Sequence, residues 1–202
     1  MNIGIYIYDQ AEVLDFSGPF EVFSTASRVS DDENPFSVFL IAEAGSPVSA
    51  RAGYRVLPDY SIHNHPPLDV LVISGGVHSL EMNKTQVKTW ISDQVEKVSL
   101  IATVCTGVFL LANAQPSALR RVTTHWEDQA ELAALFPHLD IVQGVRWVDD
   151  GKVISSGGIS AGIDMCLHLV SRLHSEALAE KTARQMEYNW VKNSWMAALD
   201  FM

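Results

Sequence analysis

Cys105 stands where one apolar run stops and another begins. Val98-Ser-Leu-Ile-Ala-Thr-Val104 is short and continuous, and Val108-Phe-Leu-Leu-Ala112 takes over after Cys-Thr-Gly. By length and period, the first reads as a buried strand and the second as a helix. The spacing predicts a sharp strand-to-helix turn with Cys105 at its tip and Thr106 and Gly107 opening the helix. A thiol held there faces the helix's free N–H groups, which favour the anion and lower its pKa. That is a nucleophile elbow carrying sulfur. The plainer reading is a small core hydrophobe, but a core cysteine has no need of a tight turn. Cys166, inside Ile163-Asp-Met-Cys-Leu-His-Leu-Val170, reads as core.

Three other strand ends carry residues with chemical capacity. Gly75-Gly76 closes Asp69-Val-Leu-Val-Ile-Ser74. It is either a tight turn or a source of backbone N–H groups that, with Thr106, would cradle developing negative charge. The lysine and glycine spacing of a phosphate loop are absent. Asp15, in Val13-Leu14-Asp15-Phe16, is either a loop or capping acid, or a desolvated carboxyl whose raised pKa lets it act as acid and base toward Cys105. His125, in Thr123-Thr124-His125-Trp126, either orients and deprotonates the cysteine or bonds to backbone. His63 and His65 form one His-x-His without further ligands, a poor metal signal. His78 follows the glycine pair and could line a cleft. Asp164, His168 and Arg172 read as the polar side of a packed helix.

The elements that must position these residues alternate. Ile3–Tyr8 reads as a first strand, followed by a loop through Asp15 and a helix that Ser17 caps and Pro19 enters. Phe36–Ala42 is a second strand. Gly45–Leu57 holds two short extended pieces, plausible as a hairpin, and His63–Pro67 is a loop. Asp69–Ser74 has the unbroken apolar run of a central parallel strand. Leu80–Val98 reads as a helix, and Pro116 ends the helix of the elbow. A brief strand or loop end at Arg121–His125 and a helix at Glu127–Phe136 follow. Ile141–Val148 and Lys152–Ser155 are extended around an Asp149-Asp150-Gly151 turn. Helices come last, from Ser160 to Leu173 and from the Ser175 cap toward Trp190. The Trp190–Trp195 tail reads as packing. Such alternation implies an open, mostly parallel sheet with helices on both faces, whose sites gather beyond the carboxyl strand ends.

Composition narrows the classes. The 202 residues are 48% hydrophobic and 19% charged, suiting one globular domain over 1–202. Fourteen basic against 24 acidic residues give a formal charge of −10. That disfavours nucleic acid and anionic membranes as partners. No signal peptide or bilayer-spanning run is read, and two unpatterned cysteines give no disulfide framework. A cytoplasmic protein is expected.

Together these residues resemble the ThiJ/PfpI superfamily, and most closely its isocyanide hydratase-like branch. The resemblance runs through Leu14-Asp-Phe-Ser-Gly-Pro19, Pro67-Leu-Asp-Val-Leu-Val-Ile-Ser-Gly-Gly76, Ala102-Thr-Val-Cys-Thr-Gly107, Arg121-Val-Thr-Thr-His-Trp126 and Ser156-Gly-Gly-Ile-Ser-Ala-Gly-Ile-Asp164. It implies a flavodoxin-like three-layer sandwich, commonly a homodimer, with Cys105 as nucleophile, Asp15 as its proton partner and Thr106 beside them. Gly75, Gly76 and His125 would serve substrate. The implied reaction adds water to an isocyanide to give an N-substituted formamide, without metal or cofactor. Protease-like members have a histidine after the cysteine and an early glutamate. Thr106 and Asp15 stand there instead, against protease, glyoxalase and deglycase activity. Sensor domains of AraC-type regulators share the motifs, with a helix-turn-helix module for which this chain leaves no room. A ligand-sensing or redox-responsive protein is therefore the alternative.

Overall fold

The computed structural model describes residues 1–192, so Trp195 lies outside the described residues. In chain order the elements are β1 (Asn2–Tyr6), α1 (Val13–Val29), β2 (Ser37–Ala42), β3 (Val48–Ser49), β4 (Arg55–Val56), β5 (Tyr60–Ser61) and β6 (Val70–Ile73). They continue as α2 (Thr85–Lys97), β7 (Leu100–Val104), α3 (Gly107–Ala114), β8 (Arg121–Val122), α4 (Gln129–Leu135) and β9 (Asp140–Ile141). The last are β10 (Trp147–Asp150), β11 (Val153–Ser156), α5 (Ala161–Leu173) and α6 (Glu176–Gln185).

Seven strands form one sheet in the order β10-β11-β7-β6-β1-β2-β5, parallel throughout except for β10. Helices α1, α5 and α6 pack together over one face, and α2 packs with α3. Every residue of β6 and β7 is buried, which explains their unbroken apolar runs: a central parallel strand meets helices on both sides. Each such Leu, Ile or Val contributes roughly 1.5–3 kcal/mol by leaving water. The chain runs from β1 outward to β2 and β5, then returns so that β6 lies on the other side of β1. This reversal opens a crevice between the carboxyl ends of β1 and β6. The hairpin expected within Gly45–Leu57 is the antiparallel pair β3–β4.

Several boundaries differ from the sequence reading. α1 begins at Val13, so Asp15 sits in its first turn and not in the preceding loop. Ser17 does not cap it; its hydroxyl donates back to the Val13 carbonyl at 2.7 Å. Tertiary bonds hold this helix start instead, with the Glu12 N–H donating to the Gly75 carbonyl at 2.9 Å. Pro19 lies within the helix, where its missing N–H leaves the Asp15 carbonyl without an intrahelical donor. The helix read from Leu80 is a 3-10 turn at Glu81–Asn83 followed by α2, because Glu81 turns inward to Tyr6. The strand read over Ile141–Val148 is interrupted at Gly144, whose φ is +73°.

Ser175 does cap α6, accepting from the Leu178 N–H, but the helix stops at Gln185 and not near Trp190. Glu187 is left-handed there, with φ +49°. Asp164 is fully buried, paired with Arg146, and accepts the Val191 N–H at 2.9 Å. His168 and Arg172 likewise turn onto Asp149 of β10, at 2.7 and 2.9 Å. Cys166 is fully buried, as read.

Candidate active site

Cys105 follows β7 directly and has φ +54°, a left-handed conformation rare for a residue with a side chain. Strain of this kind persists only where surroundings hold it. Here the Cys105 N–H donates to the Ser156 carbonyl at 3.1 Å, and its carbonyl accepts the Thr124 hydroxyl at 2.8 Å. Thr106 is the N-cap residue of α3. The elbow expected from sequence is therefore built, and Thr124 is one of its clamps.

Asp15 reaches the same point from the first turn of α1. It is fully buried, its Oδ2 accepts the Gly75 N–H at 3.2 Å, and it shares a hydrogen bond with the Cys105 thiol. Gly75 is the filler between them. A methyl there would meet the Thr106 nitrogen at 2.6 Å, Asp15 Oδ2 at 2.7 Å and Cys105 Cβ at 2.8 Å. No larger residue fits.

The glycine pair does not supply the free donors read from sequence. The Gly75 N–H is committed to Asp15, and the Gly76 N–H donates to Thr106 Oγ1 at 2.9 Å. The threonine hydroxyl answers by donating to the Gly76 carbonyl, also at 2.9 Å. Their work is to lock β6 to the acid and to the elbow. The amide that does serve the sulfur is that of Thr106.

Electrostatics also reverse one expectation. Burial pushes the Cys105 thiol well above its ordinary value, and the Asp15 charge adds to this; the Thr106 N–H opposes both without overcoming them. With only 8% of Cys105 exposed, desolvation outweighs the helix N-terminus. Asp15 behaves as read: burial, then the charge of Glu12, raises its carboxyl to about 7 against the Gly75 N–H, the Cys105 thiol and Arg51. The resting pair is a neutral thiol beside a carboxyl that titrates near neutrality.

His125 borders the same cavity. Its Nδ1 faces Asp128 at 3.5 Å and Glu127 at 3.7 Å, and among the described residues no hydrogen bond joins it to Cys105. Gly158 lies between them: a methyl there would sit 2.5 Å from His125 Cδ2 and 3.1 Å from Cys105 Sγ. The cavity over the sulfur measures about 140 Å3 and is rimmed by the Glu12–Arg51 ion pair, His125, Asp128 and Ile159. A larger groove of about 780 Å3 lies beside α2 and shares no residue with it. His78 is buried against Phe109, not in this cavity. Sequence reasoning missed Thr124, Gly158 and Arg51 as site residues. Only Gly158 carried a signal, in the doubled glycine ahead of α5.

Similarity to known proteins agrees with this geometry. The chain is 31% identical over 192 residues to isonitrile hydratase from Pseudomonas putida, covering 93% of this chain and 78% of that protein. It is 26% identical to the HTH-type transcriptional regulator GbdR of Pseudomonas aeruginosa, covering 95% of this chain but only 52% of the regulator. A ThiJ/PfpI family protein from Pseudomonas syringae superposes with a TM-score of 0.82 at 25% identity, over 93% of this chain and 75% of that one. Drosophila melanogaster DJ-1beta superposes at 0.80 with 19% identity, over 94% and 98%, a likeness of fold. Residues 1–172 match the DJ-1/PfpI family, and the chain, a flavodoxin-like α/β sandwich with a cysteine elbow, belongs to it.

Proposed function

We propose that this protein hydrates isocyanides to N-substituted formamides, with Cys105 as nucleophile and Asp15 as its proton partner. One observation carries the reading: the group hydrogen-bonded to the elbow sulfur is a buried carboxyl with a pKa near 7, not an imidazole. Similarity to isonitrile hydratase supports it.

The chemistry follows from that pair. Sulfur attacks the terminal carbon of R–N≡C while its proton passes to ionised Asp15. Asp15 returns the proton to the same carbon, leaving the thioimidate R–N=CH–S–Cys105. Water then adds to this carbon, and Asp15 takes one of its protons and passes it to the nitrogen, giving R–NH–CH(OH)–S–Cys105. Collapse breaks the carbon–sulfur bond, restores the thiol and releases R–NH–CHO. Sulfur provides the nucleophile and the carboxyl moves the protons, so the proposal needs no metal or cofactor. Thr106 steadies the sulfur through its N–H. His125 lines the substrate side, and Gly75 and Gly76 hold acid and elbow in register.

Incubation with a simple alkyl isocyanide, monitored for formamide, tests this. Turnover is expected, lost in Cys105→Ala and lowered about 10²–10⁴-fold in Asp15→Asn. No formamide from the intact protein would overturn it. We assign the activity to a cytoplasmic homodimer acting on a small molecule, with neither nucleic acid nor membrane as partner. The alternative is a ligand-sensing domain, favoured by the similarity to GbdR, and binding without turnover would select it. A redox-responsive protein is the further alternative, selected by oxidation of Cys105 accompanied by a change in partner binding.

A further inference from the structure

The groove beside α2, at about 780 Å3, falls within the roughly 300–1,000 Å3 typical of small-molecule sites. Ile62 and Leu68, both from the segment between β5 and β6, form one wall, and α2 forms the other. Helical spacing sets Trp90, Gln94 and Lys97 along the groove face of α2, each about one turn from the next. Trp90 is fixed in place. Its indole N–H donates to His65 Nε2 at 2.9 Å, and its ring packs on that of Tyr6, centroids 5.2 Å apart. The groove therefore has a flat, rigid aromatic panel.

Gln94 is the residue out of keeping with this wall. It is only 4% exposed, yet among the described residues its side-chain amide makes no hydrogen bond. The unpartnered Thr103 and Thr123 hydroxyls are sealed inside the core, whereas the Gln94 amide is not, and it opens to the groove that the residue lines. A polar side chain this deep rarely goes unsatisfied. Water can meet these atoms, and a ligand that displaces it gains only by offering a donor and an acceptor of its own. A glutamine amide carries its C=O and N–H2 in one plane. Its complement is another amide with C=O and N–H side by side. At the lip, Asp93 and Lys97 are both exposed and opposite in sign, so an ionised ligand finds no net charge to repay its lost hydration.

We propose that this groove is a second binding site, for a small neutral aromatic amide whose ring lies against Trp90 and whose C=O and N–H edge pairs with the Gln94 amide. The groove shares no residue with the cavity over Cys105, so the inference is independent of the hydratase reading.

Benzamide is the probe, titrated into the full chain and followed by two-dimensional 1H–15N NMR. The Gln94 side-chain N–H2 and Trp90 indole N–H resonances, assigned with Gln94→Leu and Trp90→Phe, are expected to shift together and saturate. The expected Kd is about 1 mM, the scale that fragments of this size reach. Acetophenone, of the same shape without the N–H donors, is expected to bind about tenfold more weakly, and Gln94→Leu is expected to abolish that preference. Thr89→Trp, at an exposed position on the groove rim, is expected to block benzamide and keeps the test alive should Gln94→Leu fold poorly. Cys105→Ala is expected to bind as wild type does. No saturable shift up to about 20 mM would overturn the site. So would equal affinity for the two probes in wild type, or shifts that cluster around Cys105 and vanish in Cys105→Ala.

Discussion

Asp15 owes its behaviour to where its two oxygens find themselves. Oδ2 takes a single backbone N–H, the carboxyl also meets the Cys105 thiol, and both oxygens are out of water. Two expectations follow from a carboxyl raised to about 7. Because attack needs Asp15 ionised to receive the thiol proton, formamide production should rise as pH increases through about 7, with half-maximal rate near that value. Stability should move the opposite way. The folded-state pKa exceeds the unfolded value of about 3.8, so the folded protein binds the extra proton between the two. The Asp15 contribution to stability is then full below about pH 4 and is lost as pH rises to about 7. Asn carries no charge, so Asp15→Asn should gain up to about 4 kcal/mol over wild type at pH 8. That gain should vanish at pH 4. Urea denaturation at both pH values measures it.

At the scale of elements, the site is a junction of three strand ends and two helix starts, and glycine is what lets them touch. Gly75→Ala should place a methyl against the Thr106 nitrogen, Asp15 and Cys105 together, so activity and thermal stability should both fall. Gly158→Ala meets the movable ring of His125 and the sulfur itself. It should cut Cys105 alkylation at least tenfold with little change in melting temperature. Calorimetry and thiol labelling separate the two cases. How much of this was legible varied with the kind of interaction. The elbow and the central strands could be read, because a buried parallel strand and a strand-to-helix turn leave local patterns. The start of α1 could not, because Gly75 and not Ser17 secures it from across the fold. Nor could the thiol's elevation, since a sequence shows the helix N-terminus but not the depth of burial that outweighs it.

Across the whole molecule, the C-terminal part is fastened by buried charge. Asp164 on α5 holds Arg146 and the Val191 N–H, and its carbonyl accepts the Trp190 indole N–H at 3.2 Å. Arg146→Met would strand that carboxylate in the core and should cost about 3–5 kcal/mol in urea denaturation. Among the described residues no helix is long and apolar enough to cross a membrane. The sheet also ends in short margins, a two-residue β5 on one side and the antiparallel β10 on the other, which offer little template for stray strand pairing.

The junction around Cys105 draws on stretches of chain that meet only after β1, β6, β7 and β11 have aligned. Shielding of that sulfur is thus a property of assembled topology and of no single segment. A brief labelling pulse applied at successive times during refolding would therefore timestamp the moment the parallel core closes, with the protein supplying its own reporter.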